Sequence, residues 1–283
     1  MYINHLTFSF FSFFFAQDLM DILDDEDDTN SSIVTSTFKG TRIVNGHSIE
    51  NRKKKELEFI ISHRFGRINS GIYELFGLDN SNIRFSFEYG FTDDITAGIG
   101  RSSFEKTYDA FVKYSWLKQK TGEKSFPFAV SLFGSIALKT LRDYPATDKR
   151  TFAESLNYVG QILIARKETK NFSYQIAPTY IHRNTVLNAA DPHDIYAIGF
   201  GTRVKVSNRV SLNGEYYAQL NKNVSVPTRN SIGFGVDIET GGHVFQLILS
   251  NSITMIEKSF IAETNGNFFG GDIHFGFNLS RTF

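Results

Sequence analysis

The run NIRFSFEYGF (residues 82–91) alternates between apolar and polar side chains almost without a break. Ile83, Phe85, Phe87 and Tyr89 fall on one side, and Arg84, Ser86 and Glu88 on the other. A period of two marks a β-strand, because successive side chains leave opposite faces of the pleat. Working outward, KKELEFIISHRF (54–65) places Leu57, Phe59, Ile61 and Phe65 on one face. The same period recurs near 94–101, 107–117, 127–139, 154–166, 171–182, 194–206, 209–219, 230–239, 243–251 and 272–283. The pattern predicts about twelve strands, within a range of about 10 to 14. No interior segment of similar length carries a helical period, apart from a short turn near Ile72–Leu78.

Several of these strands run to about 10–13 residues, where globular strands are nearer 5 or 6. A tilted strand needs about 9–11 residues to cross a bilayer. The connections alternate between tight and long. Thr92-Asp93, Lys167 to Lys170, Ser207-Asn208 and Thr240 to Gly242 are tight. Gly66 to Ser81, Thr140 to Arg150, Arg183 to His193, Asn221 to Thr228 and Asn251 to Gly271 are long. That rhythm belongs to a barrel with short periplasmic turns on one rim and longer external loops on the other. Arg101 to Lys106 is short for its rim, and Leu117 to Ser125 is long for its own. The expected fold is all-β: a closed, antiparallel, up-and-down transmembrane barrel over residues 54–283. One face, with Phe85, Phe87, Val112, Trp116, Leu132, Ile136, Ile176, Phe200 and Phe234, would touch membrane lipid. The other, with Thr96, Gly98, Gly100, Ser131, Gln161, Gln175, Gly199, Gly201 and Gln246, suits a narrow lumen. A soluble sandwich, with the apolar face turned into a core, shares the alternation and is the rival fold.

Composition narrows the partners. Lys plus Arg and Asp plus Glu are 30 each, so the formal charge is zero and nucleic acid is not an expected partner. There is no cysteine, which excludes disulfides, thiolate metal sites and a lipid-modified Cys. Phe8 to Ala16 (FSFFSFFFA) reads as the end of a signal peptide over 1–16, although no Lys or Arg precedes it; a buried strand is the rival reading. Residues 17–53 then form an acidic segment, Asp18 to Asp28, followed by a small hairpin or plug with an Asn45-Gly46 turn. The acidic spacing does not match an EF-hand calcium loop. At the other end, Ile273 to Phe283 (IHFGFNLSRTF) ends on an aromatic residue. It resembles the C-terminal signal recognised by the outer-membrane barrel assembly machinery, except at Arg281.

The stretches FKGTRIVNGHSIE (38–50), ISHRFG (61–66), YELFGLD (73–79), GRSSFEKTYD (100–109) and IETGGHVFQL (238–247) carry a family resemblance. The chain resembles a family of Bacteroidota outer-membrane β-barrel proteins, domain of unknown function 5777. The resemblance implies a barrel in the outer membrane of a Gram-negative bacterium. It brings no substrate, cofactor or catalytic residue.

The charged residues expected inside are Glu58, Arg64, Arg84, Glu88, Asp109, Lys113, Arg203, Glu215 and Asp237. Mixed signs point to internal ion pairs or a polar pore, not to a strongly selective channel. Arg203 should lie opposite about Leu212, with Glu215 in diagonal reach. Arg64 and Arg84 should sit near the outer mouth, as a weak anion-attracting entrance. Catalysis is not expected: Ser62 and His63 are strand neighbours facing opposite ways, and His47-Ser48 has no evident acidic partner. The seven His residues show no HxH or HExxH spacing, so no metal site is expected. Residues 17–53 are too few for the globular plug of a 22-stranded transporter. Two functions remain: a narrow passive channel for small polar solutes or ions, and a closed barrel serving as scaffold or partner-binding surface. The partly apolar loop from Asn251 to Gly271, with Ile256, Phe260, Ile261, Phe268 and Phe269, should fold inward or meet a partner.

Overall fold

The structure, a computed structural model, describes residues 32–141, 150–240 and 243–283. The expected signal peptide and the acidic stretch Asp18 to Asp28 lie outside the described residues. Twelve antiparallel strands close into one barrel in meander order. They are β1 (Leu57–Arg67), β2 (Ser81–Gly90), β3 (Ile95–Ser102), β4 (Tyr108–Leu117), β5 (Ala129–Leu138) and β6 (Leu156–Lys167), then β7 (Phe172–Arg183), β8 (Asp194–Lys205), β9 (Val210–Gln219), β10 (Ser231–Thr240), β11 (His243–Ser250) and β12 (His274–Thr282). β12 pairs with β1, Leu279 opposite Ile61, so the wall has no free edge.

The two faces of the wall settle the rivalry with a sandwich. Phe85, Phe87, Val112, Trp116, Leu132, Phe200 and Phe234 are exposed on the outside. Ser86, Glu88, Thr96, Lys113, Ser131, Gln175 and Gln246 are buried inside. A sandwich would bury the first set. This molecule buries the second.

Two irregular connections have local causes. The short link between β3 and β4 is closed by a single 3-10 turn, Phe104–Lys106. The long link after β4 holds Lys120–Thr121, which pairs with Ser32–Ile33 from the N-terminal segment. The extra length there docks a second part of the chain.

From that small sheet the chain enters the barrel on the short-turn rim. Residues 37–49 are nearly all buried within the lumen and form a tight hairpin. Ser48 N–H donates to the Thr41 carbonyl and Ile43 N–H to the Gly46 carbonyl, each at 2.9 Å. From the long-loop rim, the connection between β11 and β12 folds inward. It carries the short helix α1 (Glu257–Ala262), with Ile256, Phe260 and Ile261 buried. Phe269 on the same loop departs from that inward fold and is 89% exposed.

The outer face yields a direct test. Val112→Arg, in mid-strand on β4, is expected to lower stability in phospholipid vesicles by about 2–4 kcal/mol, the cost of a cation near the bilayer midplane. Urea titration of vesicle-refolded protein measures it; an unchanged midpoint would contradict a lipid-facing Val112.

Candidate functional site

The hairpin is held at its tip by one carboxylate. Glu215 on β9 accepts the backbone N–H groups of Val44, Asn45 and Gly46 at 3.2, 3.2 and 2.8 Å. Successive N–H groups that converge in a turn form a concave anion site, here filled by a wall side chain. The Asn45-Gly46 signal puts the turn there, and space makes the glycine necessary. A Cβ on Gly46 would lie 2.3 Å from the Tyr217 hydroxyl oxygen. Wall glycines admit the hairpin's apolar side chains in turn. A Cβ on Gly201 would meet Ile43 at 2.3 Å, and one on Gly233 would meet Val44 at 2.8 Å.

The rest of the hairpin backbone is satisfied from around the barrel. Gln246 Nε2 donates to the Ile43 carbonyl at 2.7 Å and Asn278 Nδ2 to the Val44 carbonyl at 3.2 Å. Gln175 Nε2 donates to the His47 carbonyl at 2.8 Å, and Lys113 Nζ to the Ser48 carbonyl at 2.9 Å and to that of Glu50. These donors come from β4, β7, β11 and β12. The wall therefore supplies the polar partners that water would otherwise provide.

The nine expected lumen charges all lie on the inner face, and most engage the hairpin segment. Arg64, 1% exposed, donates to Asn45 Oδ1 at 2.8 Å and to Asn278 Oδ1 at 3.1 Å. Glu88 pairs with Arg42 at 3.2 Å and Glu58 with Arg52 at 3.4 Å. Arg84 grips Asp109 with Nε and Nη2, a bidentate pair on the wall. Asp237 accepts from Gln246 at 2.6 Å and from Ser211 at 3.2 Å.

Two expectations need correction. Arg203 lies opposite Asn213, not Leu212. The Val206–Val210 hydrogen bonding closes a three-residue loop in place of the two-residue turn at Ser207-Asn208. Glu215 remains the diagonal neighbour, but the two side chains part. Arg203 donates to Ser211 at 3.2 Å and to the Ser36 carbonyl at 3.4 Å, while Glu215 turns to the hairpin. Nor do Arg64 and Arg84 form an open anion-attracting entrance. Both are buried and spoken for.

The sequence reading missed Arg42 and Glu257, which join the two insertions. Arg42 reaches Glu257 at 3.3 Å while holding Glu88. Between the insertions and the wall, two small cavities measure about 30 Å³, beside Thr41, Glu58 and Asp237, and about 10 Å³, beside Asn45, Arg64 and Met255. Spaces of that size hold about one water each. Among the described residues, the hairpin and the inward loop fill the lumen.

His47 is fully buried between the rings of Phe111 and Phe133, each 4.4 Å away centre to centre. Neither ring nitrogen has a hydrogen-bond partner. Burial, reinforced by Arg42, holds its pKa well below the ordinary value, so the docked imidazole is neutral.

At the long-loop rim lies a separate pocket of about 240 Å³. Lys258 crosses its floor, paired with Glu263 at 2.8 Å and Glu105 at 3.2 Å. Arg183, at the end of β7, stands on its wall.

Two outcomes follow for the hairpin. Glu215→Ala strips three N–H groups of a charged acceptor, each such bond being worth about 1.5–3 kcal/mol. Trypsin cleavage after Arg42 is expected to accelerate at least about tenfold, the equivalent of 1.4 kcal/mol; an unchanged rate would show that the tip is not held there. Through His47, acid should loosen docking. His47 has a lowered folded pKa, so its contribution is complete above about pH 6.5 and is lost as pH falls towards that lowered value, by at most about 1.4 kcal/mol per unit. Burial pushes Glu257 up, and that carboxyl acts in the opposite direction. Comparing wild type with His47→Phe isolates the histidine. Amide exchange over 41–48, corrected for intrinsic rate, should lose protection in wild type relative to the variant as pH falls below about 6.5.

Comparison with known proteins bears on the fold and the family. The NanC porin is similar at a TM-score of 0.50 and 8% identity, over 80% of this chain and 98% of its own. An outer membrane channel from Pseudomonas putida F1 aligns at a TM-score of 0.45 and 12% identity, over 82% of this chain and 96% of its own. At such identity the NanC likeness speaks for the barrel fold alone. No curated protein matches the sequence. The family described as a membrane bound beta barrel domain, DUF5777, matches residues 38–283, from the buried hairpin through the final strand. The chain belongs to that family.

Proposed function

We propose that this protein is an outer-membrane channel of a Gram-negative bacterium, passing small polar solutes or ions, and that its own N-terminal hairpin holds it shut. The observation that carries this reading is an inner wall with buried charges on β1, β2, β4, β9 and β10, and an apolar patch of Leu163, Ile181 and Ile195, closed around a segment that is not part of the wall. An eight-stranded barrel is just filled by its own side chains; a twelve-stranded one has room to spare. Here that room is taken by residues 37–50, held through side-chain hydrogen bonds and ion pairs and joined to β1 at one end only. Withdrawal towards the short-turn rim would leave Glu58, Arg64, Glu88, Lys113, Glu215 and Asp237 facing water. That wall carries both acidic and basic groups, so selectivity would be weak. Membrane lipid covers the aromatic outer face in this reading. The final strand, Ile273 to Phe283, offers the assembly machinery its terminal aromatic, with the Arg281 guanidinium 4.9 Å from the Phe283 ring centre.

A second reading, a permanently closed scaffold, draws on the long-loop rim. Tyr73, Leu187 and Phe269 are strongly exposed there, as a partner-binding surface would require.

Planar-bilayer conductance separates the two. Wild type should stay closed or open rarely. A variant lacking 37–50, and one lacking also the inward part of the loop at 254–265, should conduct in discrete steps. Silence from both, with heat-modifiable gel mobility intact, would favour the scaffold. Equal steps from wild type and deletions would show that the hairpin is not the gate.

A further inference from the structure

The pocket at the long-loop rim has a charge that no described residue completes. Its lysines are matched. Lys139 pairs with Glu105 at 2.7 Å, and Lys258 with Glu105 and Glu263. Glu154 is held by the Thr151 N–H and hydroxyl at 2.7 and 2.8 Å. Arg183 is different. It is only 6% exposed, yet its guanidinium meets neutral oxygens alone: the Pro192 carbonyl and, at 2.7 Å, Asn223 Oδ1. Its Nε is buried without a partner. Among the described residues no carboxylate stands within ion-pair distance of it. Glu263 and Asp191 act on it only from farther off. The Asp191 carboxylate is occupied by the Val224 and Ser225 N–H groups, both at 2.8 Å, and by the Ser225 hydroxyl.

A buried guanidinium with no carboxylate beside it calls for an anion. Nη2 spends both its hydrogens on Pro192 and Asn223, so an incoming carboxylate would take a single charge-assisted bond from Nη1. The carboxylates of Glu105, Glu154 and Glu263 border the same space, which favours a monoanion over a dianion. Val186, Leu187 and Val226 supply an apolar flank. The volume, about 240 Å³, falls below the roughly 300–1,000 Å³ of pockets for drug-sized ligands. We propose that this pocket binds a small organic carboxylate with an apolar body, anchored by Arg183. The site opens on the rim that the hairpin does not enter. It deepens the channel reading by naming what the mouth would collect, and its test reads binding, which does not depend on conduction.

The test is isothermal titration of the full chain, refolded in detergent, with benzoate, with the uncharged benzamide, and with inorganic phosphate. Benzoate should bind at least tenfold tighter than benzamide or phosphate. Arg183→Gln should lose at least tenfold, and Arg183→Lys, which keeps the charge, should retain most of the binding. Heat-modifiable mobility reports folding. Should Arg183→Gln fail to fold, Val226→Asp carries the test, and is expected to weaken benzoate at least tenfold by setting a negative charge on the flank. Equal binding of benzoate and benzamide, or unchanged binding in folded Arg183→Gln or in Val226→Asp, would overturn the site. Phosphate binding as tight as benzoate would overturn the carboxylate assignment. Silent bilayers from both deletion variants, with intact benzoate binding in the full chain, would sink the channel and leave the site standing.

Discussion

A closed wall of twelve strands cannot be filled by its own inward side chains, and every other feature of the molecule answers to that constraint. The interior must hold water or more chain. Here it holds chain, from both rims. Backbone brought into such a space carries N–H and carbonyl groups that need partners, and this wall provides them: Glu215 for three N–H groups, and Gln175, Gln246, Asn278 and Lys113 for the carbonyls. The inner face is mixed because what it encloses is mixed: polar side chains meet the hairpin backbone, while Phe111, Phe133, Leu163 and Ile195 join the cluster formed with Phe38, Ile43 and Val44. The outer face is aromatic because it has no such partner to serve.

The charge balance follows the same logic. A lumen in which Glu58 and Glu88 faced one another on β1 and β2 would be strained by like charges across the sheet. The inserted segment brings Arg52 to the first and Arg42 to the second. Arg42 also meets Glu257 from the opposite rim, so one cation answers two buried carboxylates. Removing it would leave charges uncompensated in a dry interior, which costs about 3–5 kcal/mol for a broken buried pair.

The wall was legible in the sequence because its two faces differ in chemistry, and a period of two survives in any strand that separates them. Strand length and loop rhythm then distinguished a barrel from a sandwich. Legibility stopped where long-range contact begins. The FKGTRIVNGHSIE segment showed its turn at Asn45-Gly46, but nothing in its pattern said that Glu215, some 170 residues away, would close around that turn. Arg64 and Arg84 read as mouth cations because alternation fixes the face and not the occupant of the space in front. The Arg203 register slipped by one because Ser207-Asn208 resembles a two-residue turn, and only the hydrogen bonds reveal a third loop residue, Arg209. Arg183 escaped notice altogether. It ends its strand, where alternation weakens, and its lack of a carboxylate is a fact about its neighbours.

Helix α1 ties the filled lumen to the outer mouth. Its adjacent residues look opposite ways: Glu257 down to Arg42 of the hairpin, and Lys258 out to Glu105 and Glu263 at the pocket. A helix of six residues has too few internal hydrogen bonds to stand alone, so its position is set by these side chains and by Phe260 packed against Tyr217 at 5.1 Å. A shift of α1 large enough to free Lys258 must also disturb Glu257, because the two share a backbone bond. The electrostatics of the mouth and the seating of the hairpin are therefore not independent: any change that re-pairs one must be absorbed by the other.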